Sequence, residues 1–366
     1  MTDHELFNLA ARAALRGMGD VEPNPMVGAV ISRDGAVLGI GHHRRFGGLH
    51  AEREAIANAR ARGHDVRGAT IHVTLEPCSH FGRQPPCVDA VLEAGITRVV
   101  MAQHDPHTVS AGGAERLRSH GVQVSVVPHA ISIGLANAFL RRVAPREAKA
   151  GLPWVIAKWA QWRDGRMTSG PGEPRWISCA ASRRRVHRLR SVVDAVMTGV
   201  GTVLADDPLL TARDVARVRR LAKRVVLDTH LRTPVTSRLV QTAHDVTTMV
   251  VTSEQTLRSP QGQARRFELE DRGVAVHAVS VDVHGRPDVI AAMGLLVREY
   301  GCVNVMLECG EELLRTSFAA GIVDQALVHI APGEGPIRRA AGEGWAVLRQ
   351  HVVGVDTELL LSRDQA

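Results

Sequence analysis

The chain has 366 residues, a formal charge of +7, 45% hydrophobic residues and 23% charged ones. Those proportions belong to a folded protein of two domains, three at most; they exclude a disordered chain, and the lack of a triplet or heptad repeat excludes collagen and a coiled coil. No stretch approaches the ~18–20 apolar residues of a membrane helix, and the opening segment MTDHELFNLAARAALRGMG has no apolar signal core, so the cytoplasm is the expected location.

Residues 1–19 read as a helix with Leu6, Leu9, Ala10, Ala13 and Ala14 on one face. Residues 26–32 and 36–41 read as strands joined by the turn Arg33-Asp34-Gly35, where Gly35 supplies positive φ. A helix over 51–62, a strand over Thr70–Glu76, a helix over Val88–Ala94 and a strand over Thr97–Ala102 follow. Such alternation implies a layered α/β domain. Residues 144–153 (APREAKAGLP) hold two prolines, a glycine and mixed charges, and read as a linker. Beyond it, strands are expected over 154–160, Val193–Met197, Arg224–Asp228, Thr247–Val251, Val303–Glu308 and Val323–Ile330. A basic helix over 179–192 and a helix over Glu311–Phe318 complete the second α/β domain. No internal repeat or low-complexity tract interrupts this plan.

Five cysteines are an odd number and too few for a disulfide scaffold, which makes cysteine a candidate metal ligand. His50-Ala51-Glu52 opens one helix, Pro77-Cys78 follows a strand, and Pro86-Cys87 opens the next helix. One imidazole and two thiolates make three ligands for a tetrahedral zinc and leave the fourth position to water, whose pKa the metal lowers to about 7. Glu52 would not ligate; it would carry a proton from that water to a departing amine. Helix N-termini at Cys78 and at Cys87 are expected to favour the thiolates. The pattern is that of zinc nucleobase deaminases, H-x-E then P-C-x-x-C, except that eight residues separate the cysteines here instead of two. The basic balance suits nucleic acid or small phosphorylated ligands. With aromatics at 3%, base stacking on a single strand is disfavoured, and the arginines are dispersed apart from Arg183-Arg184-Arg185.

The stretches Asn24-Pro25-Met26-Val27-Gly28, Gly41-His42-His43, His50-Ala51-Glu52 and Glu76-Pro77-Cys78-Ser79-His80-Phe81-Gly82-Arg83-Gln84-Pro85-Pro86-Cys87 together resemble the bifunctional deaminase–reductase family of bacterial riboflavin biosynthesis. The long inter-cysteine loop is that family's own variant. The resemblance covers about 1–145 and implies a cytidine-deaminase-like three-layer fold. It also implies zinc on His50, Cys78 and Cys87, Glu52 as the catalytic proton carrier, and pyrimidine contacts from Asn24 and His43. The family commonly shows Asp-Pro-Asn-Pro where this chain has Asp105-Pro106-His107-Thr108, and the glycine pair after it is altered at Gly112-Gly113-Ala114.

In the second half no G-x-G-x-x-G appears, and Gly199-Val200-Gly201 alone says little. The ordered set Asp164-Gly165-Arg166, Trp176-Ile177-Ser178, Arg190, the run from Gly201 to Pro208, then Leu210, Thr211 and Arg213, and finally Glu308-Cys309-Gly310 is similar to the reductase half of the same family. The likeness covers about 151–330 of a domain placed at 151–366. It implies a dihydrofolate-reductase-like fold using NADPH. Ala160, Trp176, Thr202, Asp206 and Gly310 would contact the dinucleotide, and Arg190, Leu210, Arg213 and Glu308 would hold the substrate. The two arginines suit a phosphate, since guanidinium pairs bidentately with its oxygens. Trp162-Arg163-Asp164-Gly165 replaces the family's usual Ser-Leu-Asp-Gly, and the segment after Ala331-Pro332 is short and Gly-rich.

The expectation is a bifunctional enzyme acting on a phosphorylated pyrimidine, with no nucleic-acid or membrane partner and self-association left open. Its rivals are a nucleic-acid deaminase with a basic accessory domain, and a deaminase whose second domain binds ligand without reducing it.

Overall fold

The structure is a computed structural model that describes residues 1–107, 109–143, 151–170, 173–338 and 344–363. Most of the expected linker, residues 144–150, lies outside the described residues. The chain divides into two compact units, Met1–Gly151 and Leu152–Ala366.

The first unit runs α1 (Asp3–Ala14), β1 (Gly28–Arg33), β2 (Ala36–His42), α2 (Ala51–Ala61), β3 (Thr70–Val73), α3 (Cys87–Glu93), β4 (Arg98–Met101), α4 (Gly113–Ser119), β5 (Gln123–Val126) and α5 (Ala130–Val143). Thr2 and Glu5 form a capping box that starts α1. Asp34 and Gly35 both take positive φ (52° and 76°), the two-residue turn that matches the twist of the β1–β2 hairpin. The sheet order is β2-β1-β3-β4-β5, with β1 antiparallel to both neighbours and β3, β4 and β5 parallel. Side chains alternate across it. On β1, Ala29 and Ile31 join Ala51, Ala55, Val88, Val91 and Leu117 from α2, α3 and α4, while Val30 joins Leu6 and Ala10 of α1. Helices therefore cover both faces, the expected three layers. A Cβ on Gly41 would lie 2.2 Å from Ala55 N, so α2 packs directly on the β2 backbone. The N-cap of α2 is the metal-ligand candidate His50.

The second unit runs β6 (Trp154–Gln161), α6 (Ala180–Arg190), β7 (Ala195–Gly199), α7 (Val200–Asp206), β8 (Lys223–Leu227), α8 (Arg238–Gln241), β9 (Thr248–Ser253), α9 (Glu254–Arg258), α10 (Pro260–Glu270), β10 (Ala275–Val279), α11 (Val289–Tyr300), β11 (Asn304–Leu307), α12 (Glu311–Ala319), β12 (Gln325–Ile330), β13 (Trp345–Val353) and β14 (Asp356–Arg363). The sheet order is β10-β9-β8-β7-β11-β6-β12-β14-β13; every pair is parallel except β12–β14 and β13–β14. Met197, Val225 and Met249 point to one core with α11 and α12, and Val196, Val226 and Val250 point to the other with α6, α8 and α10. Both faces being buried explains why these strands are unbroken apolar runs.

Every strand and helix expected from the sequence is present, with ends shifted by one to three residues in most cases and by up to five at the end of the first helix. α4, β5, α5, α7 to α11, β10, β13 and β14 are additional. None of the described helices is long and apolar enough to cross a membrane.

Candidate functional site

His50 occupies the N-cap of α2 in extended conformation, and its ring makes no capping bond. It turns instead to the two sulfurs: Nδ1 lies 3.6 Å from Cys78 Sγ and 3.3 Å from Cys87 Sγ. The three ligand atoms all lie within 4.8 Å of one another. One imidazole and two thiols at that spacing fit a tetrahedral zinc with one position open.

Cys78 departs from expectation in one respect. It lies in the extended segment after β3, not at a helix N-terminus. The first amide of α3 reaches it all the same, since Cys87 N–H donates to Cys78 Sγ at 3.4 Å. The Cys87 thiol and His50 add their hydrogen bonds, and the Cys78 thiol falls to about 4 against the pull of burial. Cys87, which donates to it and is itself buried, is pushed up in return. Glu52, buried one residue into α2, is raised to about 7, first by burial and then by the Cys78 sulfur. A carboxyl that exchanges its proton near neutrality beside an open metal position is equipped for general acid–base work.

These groups border a cavity of about 290 Å³ whose lining includes Asn24, His43, Arg83, His107 and Phe139. His43 Nδ1 donates to the Leu49 carbonyl at 2.9 Å, so Nε2 is free to accept from Asn24 Nδ2 at 3.3 Å. Burial lowers the His43 pKa and keeps the ring neutral. Sequence reasoning missed Glu76, which ties down the 104–114 loop. Its carboxylate accepts from the amides of Asp105 (3.0 Å) and Ala114 (2.8 Å) and pairs with His104.

The second unit holds a cluster only partly legible in the sequence. Arg190 of α6 donates twice to Glu308 (2.9 and 2.7 Å) and once to the Thr211 carbonyl (3.1 Å). Lys158 of β6, not singled out by sequence, stands 3.4 Å from the same carboxylate. Burial works against the Glu308 charge, but Lys158 and Arg190 outweigh it and hold the pKa at about 2. Arg190 was expected to take a substrate phosphate; its fork is engaged by Glu308 instead. Arg213 is exposed, and desolvation with the nearby charges of Arg190 and Arg238 lowers its pKa, a local excess of cations. The Leu210 side chain is buried in the α6–α8 core at a φ of +52°, so only its backbone can meet a ligand.

Of the expected dinucleotide residues, Ala160 lies on β6, Thr202 and Asp206 on α7 after β7, and Gly310 after β11, three adjacent strands, whereas Trp176 stands in the loop before α6. Gly199 and Gly310 are the N-caps of α7 and α12, which follow the adjacent parallel strands β7 and β11. A Cβ at Gly310 would meet no atom within 4 Å, so the space over that turn is open, while one at Gly199 would touch the Leu313 side chain at 3.7 Å. Backbone amides facing such space are of the kind that can receive a phosphate. Thr202 is half-buried and Asp206 exposed on α7; Ala160 is half-buried on β6, paired with His329 of β12. Trp176 is 59% exposed with the Arg175 and Arg183 guanidiniums over its ring at 5.4 and 5.3 Å. The Trp162 indole N–H is buried without a partner among the described residues.

Two family models match. Residues 1–103 match the cytidine and deoxycytidylate deaminase zinc-binding region, and residues 153–334 match the RibD C-terminal domain. A riboflavin biosynthesis protein RibD from Actinobacillus pleuropneumoniae is 35% identical over 91% of this chain and 84% of its own. The structure of Acinetobacter baumannii RibD is similar with a TM-score of 0.76 at 30% identity, covering 99% of each chain. A diaminohydroxyphosphoribosylaminopyrimidine deaminase/5-amino-6-(5-phosphoribosylamino)uracil reductase from Thermotoga maritima gives 0.76 at 29% identity, covering 99% of this chain and 98% of that one.

Proposed function

This chain belongs to the RibD family of riboflavin biosynthesis proteins, and from that premise we propose which residues carry each of its two reactions. It is a bifunctional enzyme, a zinc-dependent deaminase and a reductase. In our reading the unit Met1–Gly151 hydrolyses the 2-amino group of 2,5-diamino-6-ribosylamino-4(3H)-pyrimidinone 5′-phosphate. The unit Leu152–Ala366 then reduces the ribosyl chain to ribityl with NADPH.

The observation that carries the first assignment is the convergence of His50, Cys78 and Cys87 beside a buried carboxyl poised near pH 7. Zinc held there supplies a Lewis acid that makes water a nucleophile at neutral pH. Glu52 takes the proton that the attacking water gives up and returns it to the amino group, so that the carbon–nitrogen bond breaks with ammonia leaving. Asn24 and neutral His43 hold the pyrimidine edge by hydrogen bonds. A cavity of about 290 Å³ suits one nucleotide-sized molecule, which with the sparse aromatics supports a small phosphorylated substrate over nucleic acid. Free cysteines available to hold a metal fit a reducing, cytoplasmic setting.

In the second unit NADPH supplies a hydride to the sugar C1′. The Gly199 and Gly310 turns receive its phosphates and Ala160 leaves room for the ring. The Arg213 region attracts the substrate phosphate, and Glu308, pinned by Lys158 and Arg190, holds the sugar. The intact Lys158–Glu308–Arg190 cluster and the open Gly310 turn favour a working reductase over a domain that only binds.

The test is ammonia release from that pyrimidine by the zinc-loaded chain, together with NADPH oxidation on the deaminated product. Chelation should abolish the first and spare the second. Zinc-bound enzyme that releases no ammonia would overturn the deaminase assignment, and NADPH bound but never oxidised would overturn the reductase one.

A further inference from the structure

We infer that Arg53 is a positioning residue of the metal centre, tying the helix start that presents His50 to the two prolines that lead into Cys87. The inference rests on the zinc reading of the first unit given above. Arg53 does not line the cavity beside the metal ligands, and the H-x-E pattern makes no demand on the residue after the glutamate.

The centre draws its ligands from three separate places. His50 is the N-cap of α2, Cys78 lies in the extended segment after β3, and Cys87 is the first residue of α3. Where only two residues separate the cysteines, a single turn of chain fixes both sulfurs. Here eight residues intervene, and closing the longer loop on one ion costs more chain entropy. Two backbone contacts join the Cys87 end to the Cys78 segment: Cys87 N–H donates to Cys78 Sγ at 3.4 Å, and Val88 N–H donates to the Cys78 carbonyl at 3.3 Å. Neither reaches the helix that carries His50.

Arg53 supplies that third side. It stands in the first turn of α2, three residues on from His50, so the two side chains leave the same end of the helix. Its guanidinium donates through Nη2 to the Pro86 carbonyl at 2.9 Å and through Nε to the Pro85 carbonyl at 3.3 Å. Pro85 and Pro86 have no amide hydrogen, so their backbone offers only acceptors. A planar double donor is the side chain that matches two consecutive carbonyls. Pro86 is also the N-cap of α3, which places the stronger bond one residue from the Cys87 ligand. A second tie holds the same loop further back, where Gln84 Nε2 donates to the Gly47 carbonyl at 3.2 Å, in the segment that leads to His50. His50 Nδ1 and Cys87 Sγ thus stand 3.3 Å apart on backbone that other bonds already hold. A metal entering there does not have to order the loop itself, and such prior arrangement appears as tighter metal binding.

The experiment uses the full chain as wild type, Arg53→Ala, Arg53→Lys and Gln84→Ala. It measures the zinc dissociation constant by competition with a chromophoric chelator, and the melting temperature of the metal-free chain. Arg53→Ala should raise the zinc dissociation constant about tenfold, the lower end of what groups behind a metal's ligands contribute. Its metal-free form should melt within about 2 °C of wild type, because the loss is confined to one loop. Arg53→Lys keeps the charge and can reach one carbonyl, so it should recover part of the affinity. Gln84→Ala should lose less than Arg53→Ala, since its bond lies further from the ligands. Unchanged zinc affinity in Arg53→Ala would overturn the inference. Full recovery by lysine would overturn it too, because charge without the fork would then suffice, as would a metal-free Arg53→Ala chain that melts far below wild type, which would make the arginine a general support. A wild-type chain that binds no zinc would instead sink the metal reading, and this inference with it.

Discussion

Replacing Glu52 by Gln keeps the shape of the buried side chain and removes only its ability to exchange a proton. With burial and the Cys78 sulfur holding that carboxyl at about 7, the variant should retain its zinc and lose roughly a thousandfold in kcat. Loss of metal along with activity would mean that Glu52 ligates. His50, Glu52, Cys78 and Cys87 were legible in the sequence because few residue types can hold a metal or shuttle a proton, so their order carries the chemistry. Lys158 was not, because a lysine in an apolar strand acquires its meaning only when β11 brings Glu308 beside it. Arg190 shows the intermediate case: its position was readable, but its partner was not. The guanidinium expected for phosphate is taken by a carboxylate 118 residues away in sequence.

At the scale of elements, α6 is fastened to the sheet by three carboxylates. Asp356 accepts the Cys179 amide at its N-terminus (2.8 Å), Glu358 pairs with Arg185 in its middle (2.6 Å), and Glu308 binds Arg190 at its end. Glu358 is fully buried on β14 and also meets His329 (3.1 Å), Arg349 and His351. Burial alone would raise its pKa, but the His329 hydrogen bond and the Arg185 charge outweigh that and hold it at about 2. A carboxyl whose folded pKa is depressed stabilises the fold above its unfolded pKa, near 4.5, and that stability is lost as pH falls toward 2. Glu358→Gln should therefore cost about 2 kcal/mol at pH 7, a fall of roughly 6 °C in the melting temperature of the unit, with the gap from wild type closing between about pH 4.5 and 2. A gap independent of pH would show that shape, not charge, holds the helix. β13 and β14, which complete this cluster, escaped the sequence reading for a physical reason. The β13 residues are mostly exposed, so no clean alternation marks the strand, and the Gly354 turn is its only strong signal.

For the whole molecule, alternating strands and helices were enough to expect two α/β domains. They could not give the strand orders, which depend on crossovers such as β11 inserting between β6 and β7. The excess positive charge was ambiguous by composition. In the structure Arg190, Arg185 and fully buried Arg224 are bound within the fold, and Arg213 is among the cations left available to a ligand. Although the chain holds 5 cysteines and 18 histidines, a single His/Cys cluster capable of holding a metal is found among the described residues. The most direct measurement is zinc content with X-ray absorption at the zinc edge on the intact chain. One zinc per chain is expected, with two sulfurs at about 2.3 Å and two nitrogen or oxygen neighbours at about 2.0–2.1 Å. A shell with fewer than two sulfurs, or four, would contradict the account.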